Sequence, residues 1–107
     1  MTLDPIAHHT TVSGKYGEFD AGVVNWLRQD DQVVSGFWRC TPEEQPDVYE
    51  ATFATNETVY IIEGRVEVEV VGGPVLDLAA GDSASFVKGT VGRWRVIEPV
   101  LEFFVYS

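Results

Sequence analysis

The sequence predicts a single all-β domain, an antiparallel barrel, and three observations carry that reading. Short apolar runs recur about every 8–12 residues and are separated by Gly, Pro, Asn and Asp clusters, the rhythm of a sandwich or barrel. The run "RVEVEVV" alternates strictly, with Val66, Val68 and Val70 on one face and Glu67 and Glu69 on the other, so one face is dry and one wet. No stretch has a convincing helical period, and no repeat or low-complexity segment appears. A chain of 107 residues is long enough for one core and too short for two.

Residues 1–20 are mixed Gly, Thr, Ser and His and read as an N-terminal arm, irregular or forming one edge strand. Within it, adjacent His8 and His9 would point opposite ways on a strand and make a poor chelate. The barrel is expected over residues 21–107, with about nine strands. They are "GVVNWLR", "VVSGFWRC", "VYEATF", "TVYIIEG", "RVEVEVV", "VLDLAAGD", "SASFVKG", "GRWRVIEP" and "VLEFFVY". Pro42, Pro46, Pro74 and Pro99 fall between runs, where no ladder N–H is needed. The last run is very apolar for a terminal strand and calls for cover by sheet packing or by a second subunit, which points to a homodimer.

Charge and composition narrow the partners. The net charge is −10, from 17 acids against 7 bases. Such a surface repels phosphate backbones and anionic lipid, so neither nucleic acid nor membrane is an expected partner. No apolar run approaches the ~18–20 residues of a bilayer span, and the N-terminal residues have no basic and apolar leader pattern, so the expected location is the cytoplasm. Cys40, the only cysteine, has aromatic neighbours and reads as a small buried hydrophobe rather than a nucleophile. No Ser–His, Cys–His or lysine-based nucleophile arrangement is visible, and "VVGGPV" reads as a hairpin turn, not a phosphate loop.

Two segments, "NETVYIIEGRVEVEV" and "LAAGDSASFVKGTVGRWRVIEP", resemble the two signature segments of the cupin superfamily. The spacing from Glu57 to Gly64, the Gly81–Asp82 turn and the ending Trp94-x-Val96-x-Glu98-Pro99 occur in the same order. The chain looks most like the small single-domain cupins of the DUF861 (Cupin_3) group. That resemblance implies an antiparallel barrel of the RmlC-like jelly-roll type, with ethanolamine-utilisation cupins and ureidoglycine aminohydrolases as more distant relatives.

In metal-binding cupins the first segment carries His-x-His, a short gap, Glu, and then Gly. Glu57 and Gly64 match the last two positions. The histidine positions fall on Glu50 and Thr52 with one gap length and on Ala51 and Phe53 with the other. In the second segment Gly81 and Gly89 match, Val87 replaces a proline, and Gly92 stands where the last histidine belongs. Glycine has no side chain, and Ala, Phe and Thr are poor ligands, so no metal and no other cofactor is expected. Glu50 and Glu57 alone would hold an ion only loosely.

The mouth of a small β-barrel is a usual ligand site. If Glu57 points inward, Val59 and Ile61 do too; if Gly92 does, so do Trp94 and Val96. Phe86, Trp38 and Tyr49 are further aromatic candidates. The expected site is therefore an apolar cup made from Trp38, Tyr49, Glu50, Thr52, Glu57, Phe86 and Trp94, suited to a ligand with an apolar body and a cationic or hydrogen-donating end. The alternatives are that Trp38 and Trp94 only fill the core, and that Glu57 fixes its turn through backbone N–H groups. Three functions are expected in turn: a metal-free small-molecule-binding barrel; an enzyme on a small nitrogenous or carboxylate metabolite, with Glu57 as acid/base or residual metal ligand; and a regulatory or structural partner subunit with an acidic face.

Overall fold

The computed structural model describes residues 7–107, and its described residues contain strands and no helix. The strands are β1 (Gly17–Glu18), β2 (Val23–Gln29), β3 (Val34–Cys40), β4 (Tyr49–Thr52), β5 (Glu57–Val70), β6 (Val75–Ala79), β7 (Ser83–Phe86) and β8 (Val91–Tyr106). All pairings are antiparallel, in the order β1-β2-β3-β8-β5-β6, with β4 attached to β8 and β7 to β5. This is the all-β domain that the spacing predicts, in the jelly-roll form that the resemblance implies.

Two pairs of expected strands are joined. "TVYIIEG" and "RVEVEVV" form one 14-residue strand, β5, and "GRWRVIEP" and "VLEFFVY" form one 16-residue strand, β8. Pro99 therefore lies inside a strand rather than between two. It is tolerated because the β5–β8 register slips there, between Ile61 and Val66, and a bulge leaves proline's missing N–H without a ladder partner to lose.

Those slips fold each long strand into two arms. The start of β5 pairs with the end of β8, next to β3 and β7; the end of β5 pairs with the start of β8, next to β4 and β6. They also change which residues face inward. Val59 and Ile61 are fully buried at the start of β5, whereas Val66 and Val68 are fully buried beyond the slip. A regular strand keeps one parity on one face. Without the slip, Glu67 and Glu69 would enter the core instead.

Gly64 makes the crossing possible. Its φ is +83°, and a Cβ there would lie 1.9 Å from the carbonyl oxygen of Pro99. Only glycine satisfies both the left-handed backbone and this approach.

The core between the arms is a cluster of Val24, Trp38, Phe53, Ile61, Val66, Val68, Trp94 and Phe104 with their neighbours. The C-terminal strand has both edges paired, because β8 lies in the interior of the sheet, between β3 and β5. The N-terminal arm is tied down through buried Asn25: Thr10 Oγ1 donates to its Oδ1 at 3.0 Å, and its Nδ2 donates to the Thr11 carbonyl at 2.9 Å. His8 and His9 are exposed. Cys40 is buried, and burial, with Glu44 nearby, pushes its thiol up to about 11, which makes it a poor nucleophile.

Gly64→Ala is expected to cost about 3 kcal/mol or more in urea unfolding, because strain and clash add. Gly72→Ala is the control. Gly72 has φ +80°, and a Cβ added to it would meet nothing within 4 Å, so only the backbone cost of about 1 kcal/mol applies. Equal costs at the two sites would refute the steric account of the crossing.

Candidate functional site

Between the arms lies a partly open cavity of about 80 Å³. Alternation places its walls. Tyr49 at the start of β4 and Phe53 just after its end flank the inner face, while Glu50 and Thr52 between them point to solvent. On β8, Trp94, Glu102, Phe104 and Tyr106 share the inward parity. Val24 and Trp38 come from β2 and β3, Glu57 from the first residue of β5, and Phe19 from the turn after β1.

Of the sequence-predicted site, Trp38, Tyr49, Glu57 and Trp94 meet in this cup. Both tryptophans are buried, pack edge to face with centroids 5.9 Å apart, and also form cavity wall, so core filling and lining are one role. The indole N–H of Trp38 is spent on the Ala21 carbonyl at 2.7 Å, which fixes the ring. Phe86 stands one layer behind: it stacks on Phe53 at 4.6 Å with the rings 7° apart and holds that wall in place.

Glu50 and Thr52 do not belong to the cup. Tyr49 and Glu50 are adjacent on a strand, so they cannot both face inward. Glu50 lies on the outer surface, where Arg93 Nε donates to its Oε2 at 3.0 Å; the same guanidinium donates to Glu69 Oε2 at 3.0 Å. Thr52 is exposed on the same side.

Glu57 does not fix its turn. Among the described residues nothing hydrogen-bonds to its carboxyl, and the turn is held instead by Asn56, whose Oδ1 accepts the Lys88 N–H at 2.9 Å. Burial alone pushes the Glu57 carboxyl up to about 7.

The residue that sequence reasoning missed is Glu102. It is 3% exposed, and its Oε1 has no hydrogen-bond partner among the described residues. Burial, reinforced by the charge of Glu57, holds it well above the usual carboxylate range. Tyr106 and Tyr49 bring phenols to the same space, and both are raised, by burial first and then by nearby acids: Glu57 and Glu102 for Tyr106, Asp20 and Glu57 for Tyr49. Among the described residues, no Lys, Arg or His lines the cup. It is an aromatic chamber with two carboxyls and, among the described residues, no counter-charge.

The residues do not fit a metal. The inward positions equivalent to the ligand set of metal-binding cupins are Ala51, Phe53, Glu57 and Gly92. The Phe53 ring lies 3.2 Å from where a side chain on residue 92 would begin. An aromatic ring thus takes up the space that a ligand at position 92 would need. Among the described residues, no three His, Cys, Asp or Glu side chains are grouped to hold an ion.

The strand-built jelly roll is the fold of the cupins, among other families. The sequence profile of the Cupin_3 family, the EutQ-like cupin domain, matches residues 27–102, and the chain belongs to that family. It is similar to a DUF861 family protein from Thermotoga maritima, with 35% identity over 64% of this chain and 73% of that one, at a TM-score of 0.56. It shares the fold of the ethanolamine utilization protein Q of Salmonella typhimurium LT2, at 20% identity, TM-score 0.74, and coverage of 88% of this chain and 79% of that one. It also shares the fold of the hydroxypropylphosphonic acid epoxidase of S. wedmorenis, at 13% identity and TM-score 0.77, covering 95% of this chain and 59% of the epoxidase. No functionally curated protein matches the sequence. Among the described residues, no helix is long and apolar enough to cross a membrane.

The raised Glu57 carboxyl makes stability depend on pH. The folded protein holds this proton more tightly than the unfolded chain does. That preference stabilises the fold fully below about pH 4.5 and is lost as pH rises through about 7. Glu57→Gln removes the dependence. The stability of the native protein relative to this variant is expected to fall by up to about 3 kcal/mol between pH 4 and 8 in urea titrations. A difference that stays flat over that range would mean that Glu57 is solvated.

Proposed function

We propose that this cupin is a small-molecule-binding barrel whose ligand occupies the cup between Trp38, Trp94, Tyr49 and Phe53, without a metal. The observation that carries this reading is Glu102 Oε1, a carboxylate oxygen buried against an open cavity with no partner among the described residues. A buried polar atom left unsatisfied costs about 1–3 kcal/mol, and more when charged, so such an atom in a cavity wall marks where a ligand's donor belongs. The aromatic walls supply apolar contact around it.

A second reading has one specific observation in its favour. A carboxyl held near 7 is poised to take or give a proton at neutral pH, so Glu57 suits a general acid or base acting on a bound metabolite. Binding comes first in both readings, and the cup is the same.

Filling the cup separates ligand wall from plain core. Val24 is buried on the cavity wall, and Val24→Phe directs a ring into the empty space. In a thermal-shift screen of small amines, ureides and carboxylates, a ligand at 100 times its Kd stabilises the native protein by about 2.7 kcal/mol. The same compound is expected to leave the Tm of folded Val24→Phe unchanged. A compound that stabilises both equally binds elsewhere and counts against the cup.

A further inference from the structure

We propose that the cup selects a small organic cation, a compact amine bound as its ammonium, with the charged nitrogen at Glu57 and Glu102 and the apolar body against Trp38, Trp94 and Phe53. This rests on the cup being a binding site and adds the charge class of what it binds.

Four features of the wall point the same way. Among the described residues, Glu57 and Glu102 are the two acids that line the cavity, an ammonium bound beside them favours their ionised form, and no basic side chain lines the cavity to receive an anion. A carboxylate or phosphate ligand would therefore enter a low-dielectric chamber beside two acids and find no counter-charge, the costliest of arrangements for a buried charge. An ammonium inverts this. It supplies the donors that Glu102 Oε1 lacks and the positive charge that both carboxyls lack.

The aromatic walls favour the same sign. Trp38 and Trp94 stand edge to face, Phe53 is tilted 52° to Trp94, and Phe104 and Tyr106 stand 5.0 Å apart on the far side. Ring faces present negative potential, which attracts a desolvated cation and disfavours an anion. The phenols of Tyr49 and Tyr106 remain neutral, because burial and the neighbouring acids raise both, so they add hydrogen-bonding oxygens but no competing charge. The charged groups around the acids are few. Asp20 lies beside Tyr49 at the mouth, and Arg93, the base nearest to this part of β4 and β8 in sequence, is committed to Glu50 and Glu69 on the outer face.

Three probes that share a cyclopentyl body and differ in charge test the proposal: cyclopentylamine, cyclopentanol and cyclopentanecarboxylate, titrated calorimetrically into the full chain at pH 7.5. The expected result is heat of binding from the amine at least about tenfold tighter than from the alcohol, with no binding of the carboxylate. Glu102→Gln and Glu57→Gln are each expected to weaken the amine by tenfold or more and to leave the alcohol within about twofold. Melting curves establish that each variant folds; either variant suffices if the other does not. Alcohol or carboxylate binding as tight as the amine, and abolished by Val24→Phe, would overturn the cation assignment and leave the binding cup standing. Amine binding unchanged in a folded carboxyl variant would also overturn it. If none of the three binds at millimolar concentration, the cup fails as a site for ligands of this size and the cation proposal falls with it.

Discussion

The structure depends on the crossing of two long strands. β5 and β8 run through both arms of the jelly roll and cross near the middle, where β5 exchanges its faces and β8 keeps its inward row. The bend is confined to the slips between Ile61 and Val66, with Gly64 pressed against the Pro99 carbonyl. This one contact decides what is inside. Before the slip, the inward parity brings Glu57 to the cavity; after it, the inward parity buries Val66 and Val68 and turns Glu67 and Glu69 to solvent. On β8 the same inward row carries Trp94 below the bend and Glu102, Phe104 and Tyr106 above it. The cup is where these rows converge.

The cup then sets a problem that the rest of the protein does not solve. A core this aromatic is easily stabilised by apolar packing alone, yet two carboxyls are placed in it without a base. Burial answers in part by keeping them protonated at pH values where surface carboxyls ionise. A local cost of this kind, in a fold that is otherwise consistent from pattern to packing, is where function is to be sought. One wall of the cavity is a stack of rings, with Phe53 on Phe86, Trp94 tilted against both, and Gly92 close to Phe53 and Trp94.

Much of this is legible in the sequence. Alternation in "RVEVEVV" specifies the strand and its faces, and the glycine and "GD" positions point to the family, which the match over residues 27–102 establishes. Parity from Glu57 and Gly92 locates Trp94, and aromatic composition suggests Trp38 and Tyr49. The differences have physical causes. Motif spacing puts Glu50 and Thr52 in the site, but alternation cannot admit them together with Tyr49. Pro99 has the look of a strand end, because a bulge that shelters a proline is a tertiary event. Glu102 escapes notice because one acid in the apolar run "VLEFFVY" has apolar residues on both faces, so its own neighbours do not say which way it points. Its parity with Trp94 holds the answer, but only once β8 is known to be one continuous strand of 16 residues.

The central claim is that two buried carboxyls share an aromatic cup with no counter-charge among the described residues. Side-chain carbon NMR of glutamate-labelled protein, titrated from pH 3 to 9, measures it directly, with the Glu57→Gln variant assigning the Glu57 resonance. Glu57 is expected to titrate near 7, and Glu102 well above the ordinary carboxylate range, apart from the surface glutamates. Titration of both in the ordinary carboxylate range would mean that the two carboxyls are solvated or paired, and the uncompensated cup would be contradicted.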